Sequence, residues 1–202
     1  MRYAIFILSF ALIFAFSLPA NAASRDEQRL EIQKMKSLVL DQLYQEVQES
    51  KARIGQAAGY AVFSSADLAA LFVSGSLGRG IAHNNANGDE TYMRMASAGI
   101  GLGLGVKDFR VVFTFDNSQV FHDFITTGLD LSGNIDIAVK SGANGSAVTG
   151  AQDVLPGVKV YQMTEAGLLA QVMLKGTKYW RDSDLNEYDQ SSDASDIYRY
   201  NQ

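Results

Sequence analysis

Few side chains in this chain could carry chemistry. His83 and His122 are its two histidines. His83 borders a predicted turn, and His122 lies on the polar side of a short predicted helix beside Asp123. Consecutive helical residues do not face each other, and two histidines without a carboxylate cluster make a poor metal site. Ser76, in Ser74-Gly75-Ser76-Leu77-Gly78, sits where a nucleophile elbow would need a glycine two positions earlier, and Ser74 stands there instead. Asp182, Asp184 and Asn186, with Asp193 further on, reproduce part of a calcium loop. Its sixth position, where glycine makes the sharp turn, is Glu187, so these residues read as a solvated acidic tail. No nucleophile–base or carboxylate–histidine set emerges, and the expectation is a protein that is not an enzyme and holds no cofactor or metal.

The densest glycine pattern is Ala98 to Val106, where Gly99, Gly101, Gly103 and Gly105 alternate with Ile100, Leu102, Leu104 and Val106. A phosphate-binding fingerprint needs G-x-G-x-x-G opening a helix, and strict alternation is not that, so no nucleotide is expected. As a strand, the stretch has one aliphatic face and one bare face. The bare face serves either close approach by a neighbouring strand or helix, or an apolar ligand such as a lipid chain. The packing reading is favoured, with the aromatic strand Phe109 to Phe115 or an adjacent helix as the expected partner.

The surrounding elements can be read in order. Met1 to Ala22 combines Arg2, an apolar run Ile5 to Leu18 and the A-x-A site Ala20-Asn21-Ala22, the pattern of a cleaved signal peptide. The mature chain is expected to begin at Ala23 and to reside in a bacterial periplasm. Ser24 to Glu27 is a capping box. Beyond it Ile32, Met35, Val39, Leu43 and Val47 form the stripe of an amphipathic helix to about Arg53. From Gly59 the pattern turns to β. Gly59 to Phe63 and Val73 to Ala82 read as strands, Asn87-Gly88 as a hairpin turn, and Tyr92 to Ser97 as the returning strand. Ser118 to Thr127 reads as a short helix stopped by Gly128. Ser141 to Gln152 reads as a loop, and Val158 to Met163 and Leu168 to Tyr179 as the last strands.

Composition sets the remaining bounds. Hydrophobic content of 47% with two prolines argues for a folded chain. The absence of cysteine excludes disulfides and thiol chemistry. A net charge of −5 without a basic block excludes nucleic acid as a natural partner. The expected fold is α+β, an N-terminal amphipathic helix and a mainly antiparallel twisted sheet or partial barrel covered by the short helix. The expected divisions are a signal peptide at 1–22, the helix at 23–53, the main domain at 54–180 and an acidic, disordered tail at 181–202.

Taken together, GYAVF (59–63), GSLGRGI (75–81), AGIGLGLGV (98–106), VVFTF (111–115) and EAGLLAQVMLKGTKY (165–179) resemble the SYLF domain family. The resemblance implies a lipid-binding module; eukaryotic members associate with phosphoinositide membranes and some with actin, while bacterial members are envelope proteins. The chain departs from the pattern at Ser64, where a proline is common, and at Leu68 to Val73, which lacks the usual glycines. It also lacks a strongly basic surface, so no headgroup preference carries over. The expected function is non-catalytic lipid binding or membrane association in the periplasm; the alternative is a structural or protein-interaction module of an envelope assembly. Arg79, Lys107, Arg110, Lys175 and Lys178, in or beside the family motifs, are the candidate lipid-binding residues. The lipid and the oligomeric state are not readable from the sequence.

Overall fold

The computed structural model describes residues 24–65, 78–97, 110–131, 150–164, 167–168 and 176–187. The glycine stripe, the leader and most of the 141–152 stretch lie outside them.

The first described element is α1 (Arg25–Glu46), capped as its sequence demands: Ser24 Oγ accepts from the Glu27 amide, and the Glu27 carboxylate accepts from the Ser24 amide at 2.7 Å. The predicted single helix is in fact two. Val47 adopts an extended backbone conformation, and α2 (Ser50–Gln56) starts after a turn in which the Ser50 hydroxyl donates to Leu43 O. The break brings Val47 and Ile54 into the same apolar cluster.

The strands follow: β1 (Gly59–Ser64), β2 (Gly78–Asn84), β3 (Glu90–Ser97) and β4 (Arg110–Phe115). Next come α3 (Ser118–Thr127), β5 (Leu129–Asp130), β6 (Gln152–Leu155), β7 (Val158–Thr164), β8 (Gly167–Leu168), β9 (Thr177–Arg181) and α4 (Ser183–Asn186). The sheet order is β5-β9-β3-β2-β1-β4-β7-β6, with β8 on β7, and every pairing is antiparallel. The α+β expectation holds. The turn at Asn87-Gly88 joins β2 to β3 with Gly88 at φ 80°, and Gly128 at φ 86° ends α3, as their sequence signals predict.

Period-two alternation divides the sheet into two buried faces. One carries Ala61, Phe63, Val111, Phe113, Phe115, Met93 and Met95 against Phe121 and Phe124 of α3. The other carries Val62, Ile81, Val112, Tyr161 and Met163 against Ile32, Met35, Val39 and Leu43 of α1. Helices on both faces explain why central strands such as β1 read as nearly continuous apolar runs rather than clean alternation.

Strand β4 is paired by β1 on one side and β7 on the other along its whole length, and the packing expected for the glycine stripe falls on residues outside those described. One expectation needs correcting. The segment after Trp180 is not a free tail from its start. Arg181 completes β9, Asp182 is fully buried, and Leu185 of α4 is packed into the α1-side core. Asp182 caps α4 by accepting from the Leu185 amide, which its acidic surroundings in the sequence do not reveal.

Candidate lipid-contacting site

Antiparallel register sets a row of polar residues across the α1 face of the sheet. Trp180 of β9 pairs with Arg94 of β3, Arg94 with Arg79 of β2, Arg79 with Ser64 of β1, and Ser64 with Arg110 of β4. Each is a side chain that alternation places on the same face as its partner. Three guanidiniums thus lie in one line, with an aromatic ring at one end.

The row is neutralised from the C-terminal segment. Arg94 Nε lies 2.8 Å from Asp182 Oδ2, and Arg94 Nη2 donates to Asp184 Oδ2 at 2.7 Å. Arg79 Nη1 lies 3.9 Å from the same Asp182 oxygen and donates to Gln28 of α1. Burial draws the Arg79 guanidinium below its ordinary value; Asp182 acts in the opposite sense and the neighbouring Arg94 adds to the lowering. For Arg94 the hydrogen bond to Asp182 dominates over burial and raises it. Both remain cationic at neutral pH, since guanidinium titrates far above it.

The sequence candidates fall into different places. Arg79 is 5% exposed and faces inward, where it ties α1 to the sheet. Arg110 does the same at the other end of the row, donating from Nη1 to Gln42 Oε1 at 2.7 Å. Lys178 lies on the same face as Trp180 two residues away, with a side chain 60% exposed and its Nζ 3.4 Å from Asp130 Oδ2. Lys107 and Lys175 lie outside the described residues, as does Ser76.

Sequence reasoning missed Arg94 and Trp180. Arg94 alternates with the buried Met93 and Met95, which puts it on the other face of β3. What joins it to Arg79 is the strand register, which no local pattern carries. The exposed part of the site is therefore Lys178, with Trp180 half-buried beside it and Arg94 and Arg79 covered beneath Asp182.

The histidines have structural neighbours. His83 Nδ1 is 3.4 Å from Glu90 Oε1, and its ring lies 5.1 Å from that of Tyr60. Lys36 and Gln33 of α1 both donate to the Glu90 carboxylate. This group is a seam between α1 and β2–β3. His122 is on α3, and its carbonyl accepts from the Thr126 hydroxyl at 2.7 Å. Asp182, Asp184 and Asn186 are committed to Arg94 and to the Tyr92 backbone rather than to a calcium loop. Among the described residues no helix is long and apolar enough to cross a membrane, and no group of three or more metal-ligating side chains assembles.

A family model described as "Las17-binding protein actin regulator" (Ysc84) matches residues 96–201. Beta cell expansion factor A of Aeromonas veronii is 33% identical over 167 residues, covering 83% of this chain and 62% of that protein. The chain thus spans less than two thirds of the length of the curated relative it matches.

Proposed function

The chain belongs to the SYLF (Ysc84) family, and from that premise we propose that it is a non-catalytic lipid-binding, membrane-associated protein of the bacterial periplasm. The observation that carries the reading is the exposed Lys178 two residues from Trp180 on one face of β9, at the end of the arginine row. An amphipathic ring next to cations suits the boundary of a bilayer: the ring enters the headgroup region while the cations meet phosphates. Export is supported by the leader pattern of residues 1–22, and a bacterial setting by the relative from Aeromonas veronii.

Co-sedimentation of the mature protein with phosphatidylcholine vesicles and with mixed phosphatidylcholine–phosphatidylglycerol vesicles tests the proposal. Binding is expected to the mixed vesicles, and to fall in Lys178→Glu and Trp180→Ala. A wild-type protein that pellets with neither vesicle sinks the reading.

The family description names a protein partner, which favours a second reading as a protein-interaction module of an envelope assembly. A discrete oligomer by light scattering in the absence of lipid would support it.

A further inference from the structure

Arg79 and Arg94 stand directly opposite each other on neighbouring strands. Like charges in that arrangement repel, so the pair requires an anion between them. The chain supplies its own. Asp182, wholly buried, reaches both guanidiniums, and Asp184 takes the second donor of Arg94. Arg94 therefore uses Nε and Nη2, the fork that ordinarily grips two oxygens of one carboxylate or phosphate, on two separate carboxylates. Arg29 of α1 adds a third cation: it donates to Leu185 O at 2.8 Å and lies 5.9 Å over the Tyr92 ring. It also pairs with Asp26, at 3.2 Å.

The segment bearing these carboxylates is short and is held at one strand residue. The Asp182 amide donates to Tyr92 O at 2.9 Å, the Tyr92 amide to Asn186 Oδ1 at 2.9 Å, and Asn186 Nδ2 back to Tyr92 O at 2.7 Å. Leu185 supplies its apolar anchor. The Asp184 side chain is 63% exposed, so the outer half of the contact with Arg94 already opens to solvent. The segment begins two residues after Trp180, beside the surface assigned to lipid.

We propose that the Arg94–Arg79 pair is a binding site for a phosphate-bearing anion, and that residues 182–187 are an internal plug whose carboxylates hold the site until that anion displaces them. The plug gives the site a threshold. An isolated anion competes weakly with a tethered carboxylate, whereas a surface presenting many phosphates competes strongly. The proposal rests on the lipid-binding reading for the source of the phosphate, and on the arginine geometry alone for its chemistry.

Asp184→Asn removes one plug charge without touching the buried Asp182, and Asn186→Ala loosens the segment without changing charge. Asp123→Asn, on the opposite helix α3, controls for net charge. Each is compared with wild type on mixed phosphatidylcholine–phosphatidylglycerol vesicles and with inorganic phosphate, and hydrogen exchange of the Leu185, Asn186 and Glu187 amides is followed. Both plug variants are expected to bind the mixed vesicles about five-fold or more tightly, with Asp123→Asn unchanged. In wild type, bound vesicles are expected to strip protection from the three amides. Displacement of vesicles by inorganic phosphate identifies the phosphate group itself as the ligand; loosening by vesicles alone makes the ligand a membrane headgroup. Wild-type binding with unaltered plug variants and intact protection overturns the plug and leaves the lipid reading standing, as does an equal gain in Asp123→Asn. Loosening by phosphate without vesicle binding upholds the plug and removes the lipid reading. Binding to neither probe removes both.

Discussion

Phe63 fills the space that Gly80 leaves on the neighbouring strand. The two residues are in register on β1 and β2, and a Cβ built at Gly80 would collide with the Phe63 ring and with Val62 O. From that position Phe63 meets Tyr179 edge-on at 4.8 Å and Phe113 at 6.1 Å, and it reaches Phe124 of α3. The glycine is thus the condition for the aromatic cluster that joins the sheet to α3. Gly78 does the same for Met95, whose Cε lies 2.7 Å from where its Cβ would be.

Gly80→Val should therefore lose about 1–3 kcal/mol, the cost of forcing extra methyl groups into a packed core. Gly55 in α2 has open space around it, and Gly55→Ala should gain about 0.5–1 kcal/mol through reduced chain entropy. Urea denaturation of the two variants should move the midpoint in opposite directions. A Gly80→Val midpoint equal to wild type would mean that the ring does not occupy the glycine's space.

Gly128 should be intolerant for a different reason. Its φ of 86° lies in the left-handed region, and a Cβ there would press on Tyr179 O. Gly128→Ala adds strain to the end of α3 and should cost about 1 kcal/mol or more, read as a lower melting temperature. A neutral result would show that α3 can end without the left-handed residue.

Much of this fold is legible in local sequence because its signals are local. The capping box at Ser24, the helix from Ser118 stopped by Gly128 and the hairpin at Asn87-Gly88 are each written within a few residues. The break at Val47 was not legible, since the apolar stripe continues through it and only the position of the sheet decides that the helix must turn. Strand β6 was missed because Gln152 to Leu155 is short and half polar, although Pro156-Gly157 after it is a turn signal. An aromatic ring over a glycine is found at Phe63 and Gly80, while the pairing expected at the glycine stripe lies outside the described residues. The site was legible only in fragments: Arg79, Arg110 and Lys178 were picked individually, while the row exists only through cross-strand register. Asp182 looked like tail because its partners, Arg94 and Arg79, lie some ninety and a hundred residues away.

The alkaline limit of stability should be set in part by Tyr60. Burial, then the nearby Tyr44 and Glu90, push its phenol up to about 12. A group whose folded pKa is raised contributes stability that is complete below the unfolded value of 10.0 and is lost as pH rises from there towards 12. Tyr60→Phe keeps the ring beside His83 and removes the titration. Its unfolding free energy should decline less steeply than that of wild type between those values, and parallel slopes would contradict the assignment.

The acid limit should be shared by Glu90, which fastens α1 to the strands. Burial pushes this carboxyl up, but hydrogen bonds from Lys36 and Gln33, the Lys36 charge and the contact with His83 outweigh it and hold the group below its ordinary value of 4.5. A depressed carboxyl contributes stability that is complete above its unfolded value and is lost as pH falls through the folded one. Glu90→Gln abolishes that contribution at every pH, and Lys36 is then left at a half-buried seam without its anion. The stability gap between wild type and Glu90→Gln should therefore be widest near neutrality and should close as pH drops below 4.5. Denaturation curves across pH in low salt read the gap directly; a gap that stays constant into acid would show that the seam is held by the apolar stripe of α1 alone.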